Sequence, residues 1–465
     1  MAITYDAPSN TITVTGYTEE TPCTFEDIYQ ADVANGWGVV SKQGDSQYLF
    51  DACIVVGNDV NTSWLKDSAV QIEFSASCIT ANWQRPLIHV QNEGHFQLGT
   101  LLDATDKTTE DGVSILDTEP QAHALIDSDA NSEINLYGSL FACTGYVSHF
   151  TINSDDTYKS QIYECQLDNV YISSVNSSVD VTLSRITQKH TTYGIRYMGG
   201  VMDDVYLHSN GYALYWYGGC VTTGYSITNL KARNNTYLIL AYSLSESDNS
   251  YLINADVDNW NFSWANVQAG VIYRQYTFDA KCIDKNGNPI NGVSAVGEYI
   301  NPYGEAFSVS TGADGKIATQ TTDHGFFDQT HGDTEQLKTP LKVTYSKKGL
   351  VTAVKYYVLD EKTKDTVLMI STADLPIIPY TVYRTRERLI YHFKTTLRLR
   401  GKAMPKPIKK LLKLRGKISD RYGFFSHVIK LKGRKSSVLT HRIHLKGSLS
   451  QRFVQKIKAV GKMKK

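Results

Sequence analysis

The chain has 465 residues, more than one ordinary domain accommodates, and its 42% apolar and 20% charged residues describe a folded protein and exclude a disordered one. No apolar run approaches the ~20 residues that a membrane-spanning helix needs, so no membrane insertion is expected. The formal charge of zero hides a segregation: from Arg384 onward 26 Lys and Arg face only Glu387 and Asp420, leaving 21 basic against 45 acidic residues before that point. The body thus carries about −24 and the C-terminal segment about +24, a separation that implies a partner of opposite sign.

The 30 Tyr, beside plentiful Thr, Asn and Gly, suit pleated surfaces and turns and lean the chain to β structure. The start, Met1-Ala2-Ile3-Thr4-Tyr5-Asp6, has neither a basic stretch nor an apolar core, so synthesis and folding in the cytoplasm are expected. Cys23, Cys53, Cys78, Cys143, Cys165, Cys220 and Cys282 stand singly, without a C-x-x-C pair. Neither a zinc knuckle nor a redox pair is supported, and their apolar or small neighbours make them buried free thiols.

In chain order, Thr24 to Asp32 comes first, with Phe25, Ile28 and Tyr29 on one helical face and Thr24 as its cap. A short helix ahead of many strands suits the first coil of a solenoid, whose end otherwise exposes core and strand edge. Strand-like runs follow at Gln166 to Ile172, Thr182 to Thr187, Val201 to Leu207, Ser226 to Ala232 and Val257 to Phe262. Each carries a leading apolar residue, then two polar ones, then an apolar alternation. The leading residues Leu167, Leu183, Met202, Ile227 and Val257 are 16, 19, 25 and 30 apart, a drifting period. Loops of variable length on a constant coil produce such drift. One coil is too small to bury its own inward residues, so coils stack, with Asn and Asp satisfying the corners. On this pattern residues 20–270 resemble the right-handed parallel β-helices of the pectate-lyase-like superfamily; a two-sheet sandwich with long loops is the structural alternative.

A second unit begins near Tyr276. Phe278 to Val293 reads as strand, tight turn and strand, and Val309 to Ile317 follows, with Asn286-Gly287 and Asp314-Gly315 supplying the positive φ of short turns. Later strands are expected at Lys342 to Ser346 and Ala353 to Leu359. The D-x-x-G-x-P-I-x-G-V and T-x-x-D-G-x-I patterns resemble carboxypeptidase-regulatory-like and Cna-B-like modules. That resemblance implies an Ig-like β-sandwich serving as a spacer or adhesive unit, and it carries no catalytic residue. Leu375 to Tyr380, with two prolines, reads as an extended linker.

The basic segment contains five short motifs, at Leu397 to Lys402, Leu412 to Lys417, Ile429 to Arg434, Ile443 to Ser448 and Ile457 to Lys462, whose glycines are 15, 17, 14 and 14 residues apart. Alternating apolar and basic residues make each a short strand with one basic face, ended by a Gly turn. Arg398, Arg400, Lys402, Lys413, Arg415, Lys417, Lys430, Lys432, Arg434, Lys446, Lys458 and Lys462 are the expected docking residues for a polyanion or an acidic protein surface. The plainer alternative is a solvated tail resting on this chain's own acidic body or on that of another copy. Aromatics are too few and irregular there to insist on single-stranded nucleic acid.

Reactive constellations are scarce. His190, Arg196, Asp203, Asp204 and His208 are the best acid–base set, but adjacent Asp203 and Asp204 point oppositely on a strand and suit corners better. Tyr193, Tyr197, Tyr212, Tyr215, Trp216 and Tyr217 form the densest aromatic cluster, a sugar-binding surface if exposed and packing if not. No phosphate-loop, dinucleotide, serine-hydrolase or zincin motif occurs, and no cofactor or metal is expected.

The expected organisation is all-β: a right-handed parallel β-helix with an N-terminal cap over 1–275, an Ig-like sandwich over 276–370, a linker at 371–383 and the basic repeats at 384–465. The expected function is non-enzymatic, a structural or attachment protein at the surface of a virus particle. By resemblance it is a homo-oligomer, a trimer, contacting other virion proteins and host surface glycans. A polysaccharide depolymerase and a nucleic-acid-binding scaffold are the alternatives.

Overall fold

A computed structural model describes residues 1–374 except 59, 76, 77, 79–85, 119–122, 145, 154–158, 175–180, 197–199, 219–223, 245–248 and 267–269. Beyond 374 it describes the backbone of four short strands. Two compact units result, Met1–Ala373 and Asp374–Lys465.

The regular structure of the first unit is almost all strand, arranged among the described residues in long, mainly parallel sheets of ten strands (sheet I), eleven strands (sheet II) and twelve strands (sheet III). The chain visits them in turn. Gln161–Tyr163 lies in III, Gln166–Asp168 in I and Val170–Ser174 in II; Thr182–Ser184, Thr187–Lys189 and Tyr193–Arg196 repeat the circuit. Val201–Asp203, Tyr206–His208 and Tyr212–Tyr217 repeat it again, and each strand pairs in parallel with its equivalent one coil on. This is compatible with a β-helix body.

Register explains the drifting period. In sheet III, Ile162, Leu183, Met202, Ile227 and Leu252 are successive Cα partners, 21, 19, 25 and 25 residues apart. In sheet I, Leu167, Gln188, Leu207, Ala232 and Val257 follow with the same steps. Leu167 and Val257 therefore belong to one sheet and Leu183, Met202 and Ile227 to another. Steps of 16 and 30 came from crossing between them.

The inward columns make one continuous core. In sheet II, Ile12, Ile54, Ile88, Ile126, Phe150, Ile172, Ile195, Leu214, Ile239 and Phe262 are partners in sequence, and all are buried. β-Branched and aromatic residues pack well on a pleated inner face, and stacking coils removes their apolar surface from water at roughly 25 cal/mol per Å².

Corners are made by residues in the left-handed region. Between sheets III and I stand Glu164, Arg185, Asp204, Asn229 and Asn254, with φ of 56, 53, 54, 55 and 55°. Each donates its N–H to a carbonyl of the next coil, to Ser184, Asp203, Thr228, Ile253 and Gln275 at 2.8 to 3.2 Å. The corner thus continues the inter-coil ladder, which offsets the steric cost of that conformation for an L-residue. Between sheets I and II, Asn169, His190, Ser209 and Asn234 occupy the same region, with φ of 60, 63, 58 and 55°.

The N-terminal end is closed by one helix, Phe25–Asn35. Thr24 Oγ1 accepts from Asp27 N–H (3.2 Å) and the Asp27 carboxylate accepts from Thr24 N–H (2.9 Å), a reciprocal cap. Phe25 and Ile28 are buried over the first coil, and Gly36, at φ 66°, stops the helix three residues beyond the expected end.

At the other end one 13-residue strand, Val271–Ile283, runs from sheet III into a second core. Its first part pairs in parallel with Ser250–Ile253, and its last part with Thr363–Leu368. A four-stranded antiparallel sheet, in the order Tyr303–Ser310, Ser294–Ile300, Leu341–Ser346 and Ala353–Tyr357, faces it. Val293, Ala295, Leu341, Val343 and Tyr345 meet Phe278, Ala280, Cys282 and Val367 in that core. The turn between the two sheets is set by Asp284 Oδ1, which accepts from Asn286 and Asn288 N–H (2.8 and 2.9 Å). Position 276 thus falls within a strand. The six described cysteines are buried free thiols, and Cys220 lies outside the described residues.

In the second unit, Tyr383–Thr385 pairs antiparallel with Arg388–Ile390, and Phe393–Thr395 with Leu412–Leu414.

Candidate functional site

Strand alternation sends Tyr171, Tyr215, Tyr217 and Tyr242 of sheet II outward, opposite to its buried column, whereas Tyr193, Tyr212 and Tyr237 share the parity of that column and are half-buried at the very start of their strands. Tyr193, Tyr212 and Tyr237 begin equivalent strands and are successive Cα partners. Their rings stack along the coils, 5.6 Å apart at 17° and 5.1 Å apart at 14°. Tyr171 extends the row edge-on to Tyr193 (6.4 Å), and His149 stacks on Tyr171 (5.1 Å). Beside the row, Tyr215 lies 5.3 Å from Tyr193, and the Arg196 guanidinium sits over both rings at 5.6 and 5.5 Å. Tyr217 and Tyr242 form a further pair at 5.6 Å.

Four of the six expected aromatic residues, Tyr193, Tyr212, Tyr215 and Tyr217, come together on this face. Trp216 does not. It lies between Tyr215 and Tyr217, so it points inward, where it is 1% exposed and stacked on Tyr225 at 5.1 Å. Tyr197 lies outside the described residues. Tyr171, Tyr237 and Tyr242 were missed, although Tyr237 and Tyr242 follow Tyr212 and Tyr217 by 25, the local coil step.

Stacking also changes what the row offers. Ring faces that a sugar would lie on are taken by the neighbouring coil, so the row presents hydroxyl-bearing edges about one coil, ~5 Å, apart. That is a linear array of donors and acceptors rather than a platform.

Beneath the row runs a buried amide ladder. Asn210 Oδ1 accepts from Thr191 N–H (2.9 Å), and Asn235 Oδ1 accepts from Asn210 N–H (3.0 Å). Asn210 Nδ2 donates to Gln188 Oε1 (2.8 Å) and Asn235 Nδ2 to Leu207 O (3.0 Å). Thr191, Asn210 and Asn235 each precede a row tyrosine by two residues, so the ladder sets where the row begins.

Burial, and then the nearby His123, pull the His149 imidazole down from 6.5 to about 4. The folded protein therefore binds this proton more weakly than the unfolded chain, and stability falls as pH drops from 6.5 to about 4. Replacing His149 by Gln is expected to flatten that part of the stability–pH curve, measured by denaturant unfolding at closely spaced pH. An unchanged slope would assign the acid sensitivity elsewhere.

The acid–base candidates are dispersed. Asp203 ends a sheet III strand and accepts from Asn229 Nδ2 (2.7 Å), while Asp204 is the left-handed corner beside it. His190, at the next corner, meets Asp168 through Nδ1 (2.8 Å), and its ring is 6.0 Å from that of His208 on sheet I. Arg196 belongs to the aromatic face. No pair of carboxylates among these residues faces across a shared space, and among the described residues no group of three His, Cys, Asp or Glu could hold a metal ion. No described helix is long and apolar enough to cross a membrane.

Of the basic docking residues, Lys413 sits within the strand Leu412–Leu414. Arg398, Arg400, Lys402, Arg415, Lys417, Lys430, Lys432, Arg434, Lys446, Lys458 and Lys462 lie outside the described residues. No family model and no curated protein sequence matches the chain.

Proposed function

We propose that the chain is a structural attachment protein of a virus particle, which holds a surface glycan on the tyrosine row of sheet II. In this proposal the parallel-sheet body is a right-handed β-helix of the pectate-lyase-like kind, assembled as a homotrimer, and the second core is an Ig-like spacer. The basic repeats dock it to an acidic partner. It holds rather than reacts.

The observation that carries the proposal is the row itself. His149, Tyr171, Tyr193, Tyr212 and Tyr237 place polar ring edges along successive coils, with Arg196 beside them. Rungs at the spacing of the coils suit an extended, unbranched polymer of hydroxylated units. Charge agrees with a docking role for the repeats: residues 1–275 contain 11 Lys and Arg against 32 Asp and Glu, so basic residues are set apart at the C-terminal end.

A glycan array probed with the full chain tests this. Binding to a linear polysaccharide is expected, and the Tyr193→Ala/Tyr212→Ala double variant should bind about ten-fold more weakly with an unchanged circular dichroism spectrum. Absence of any bound glycan, or equal binding by the folded variant, would sink the proposal.

A further inference from the structure

At the C-terminal end of the coils, sheets I and II stop at Asp256–Val257 and Phe262–Ala265, each paired on one side only among the described residues, whereas sheet III continues. The two open edges differ. Phe262 N–H is taken by the Asp333 carboxylate (2.8 Å), from a loop of the second core. Against Asp256–Val257 lies a cleft of about 470 Å³, lined by that strand with Trp260, Arg274, Tyr276, Asp360 and Glu361.

Arg274 fixes the aromatic part of the cleft. Its guanidinium sits 4.5 Å over Trp260, donates to Tyr276 Oη (2.9 and 2.8 Å) and pairs with Glu335 (3.1 Å). Tyr276 in turn donates to Ala255 O (3.1 Å), beside the open strand. Since Arg274 is matched by Glu335 and Asp256 by Arg233, the exposed carboxylates of Asp360 and Glu361 stand against Lys362 alone and leave the cleft acidic.

A strand edge offers main-chain donors and acceptors to one more strand, here chiefly those of Val257, because Asp256 O accepts from Arg233 Nη1 (2.6 Å) and Ala255 O from Tyr276. We propose that this cleft docks an extended peptide strand from another molecule, in which basic and apolar residues alternate, added to sheet I at Asp256–Val257. Alternation places the apolar side chains against Trp260 and Tyr276 and the basic ones toward Asp360 and Glu361. An acidic strand is repelled, and a sugar finds one face of Trp260 covered by Arg274. The site is independent of the tyrosine row, which lies on sheet II.

The test is fluorescence anisotropy on the full chain with a labelled nonapeptide of the sequence at 410–418, Lys-Leu-Leu-Lys-Leu-Arg-Gly-Lys-Ile. Saturable binding is expected, about ten-fold weaker for a peptide of equal composition with its basic residues clustered at one end. The Asp360→Ala/Glu361→Ala variant, altered only at exposed positions, should lose about as much. General attraction to an acidic body would scarcely change when two carboxylates are removed, so it cannot mimic that loss. Absent binding, equal affinity for both peptides, or an unaffected variant overturns the proposal.

Discussion

Replacing Asn210 by alanine is expected to lower the unfolding free energy by about 2–6 kcal/mol, because two buried groups lose their partners at roughly 1–3 kcal/mol each. Thr191 N–H donates to Asn210 Oδ1, and Gln188 Oε1 accepts from Asn210 Nδ2; all three residues are almost fully buried. The shift of a guanidinium unfolding midpoint measures the loss. Because residue 210 is two positions before Tyr212, the near-ultraviolet dichroism of the tyrosine row should weaken in the same variant. A change below 1 kcal/mol would mean that the coils carry their own register without the amide ladder.

The second large effect is expected at Asp117. It occupies an inward position of sheet I, the Cα partner of Phe74 on one side and Cys143 on the other. Its Oδ2 lies 2.9 Å from His123 Nε2, and neither side chain is exposed. The Cys143 thiol points to the same oxygen at 3.5 Å. Removing one member of a buried polar pair costs more than the pair contributes, because the survivor keeps its desolvation penalty. Asp117→Ala should therefore lose about 3–5 kcal/mol, and Asp117→Asn, which keeps a hydrogen-bonding oxygen, markedly less. Equal losses in thermal or denaturant unfolding would show that charge, not hydrogen bonding, matters here.

Solenoid character was legible because it rests on a pattern that one sequence displays: apolar residues returning after each circuit. The individual strands were not. Val201 to Leu207 looked like one strand, but Val201–Asp203 and Tyr206–His208 belong to different sheets and flank the left-handed Asp204. The same holds for Gln166 to Ile172 around Asn169 and for Ser226 to Ala232 around Asn229. An inward residue on each side of a corner imitates alternation along a straight strand, so periodicity alone cannot separate the two. The aromatic face was half legible for a related reason. Tyr215, Trp216 and Tyr217 are adjacent in sequence, yet parity sends the tryptophan into the core, while Tyr237 joins the row from 25 residues away. Asp117 and His123 gave no signal, since a buried carboxylate and a solvated one look alike in sequence.

The strand Val271–Ile283 also bears on how the molecule transmits load. Its thirteen residues form one strand, hydrogen-bonded to the coils at one end and to the second core at the other. A pull or twist applied to either core enters the other through continuous backbone flanked by hydrogen bonds, not through a slack tether. The joint is a beam, so a load applied to one core is felt at the other.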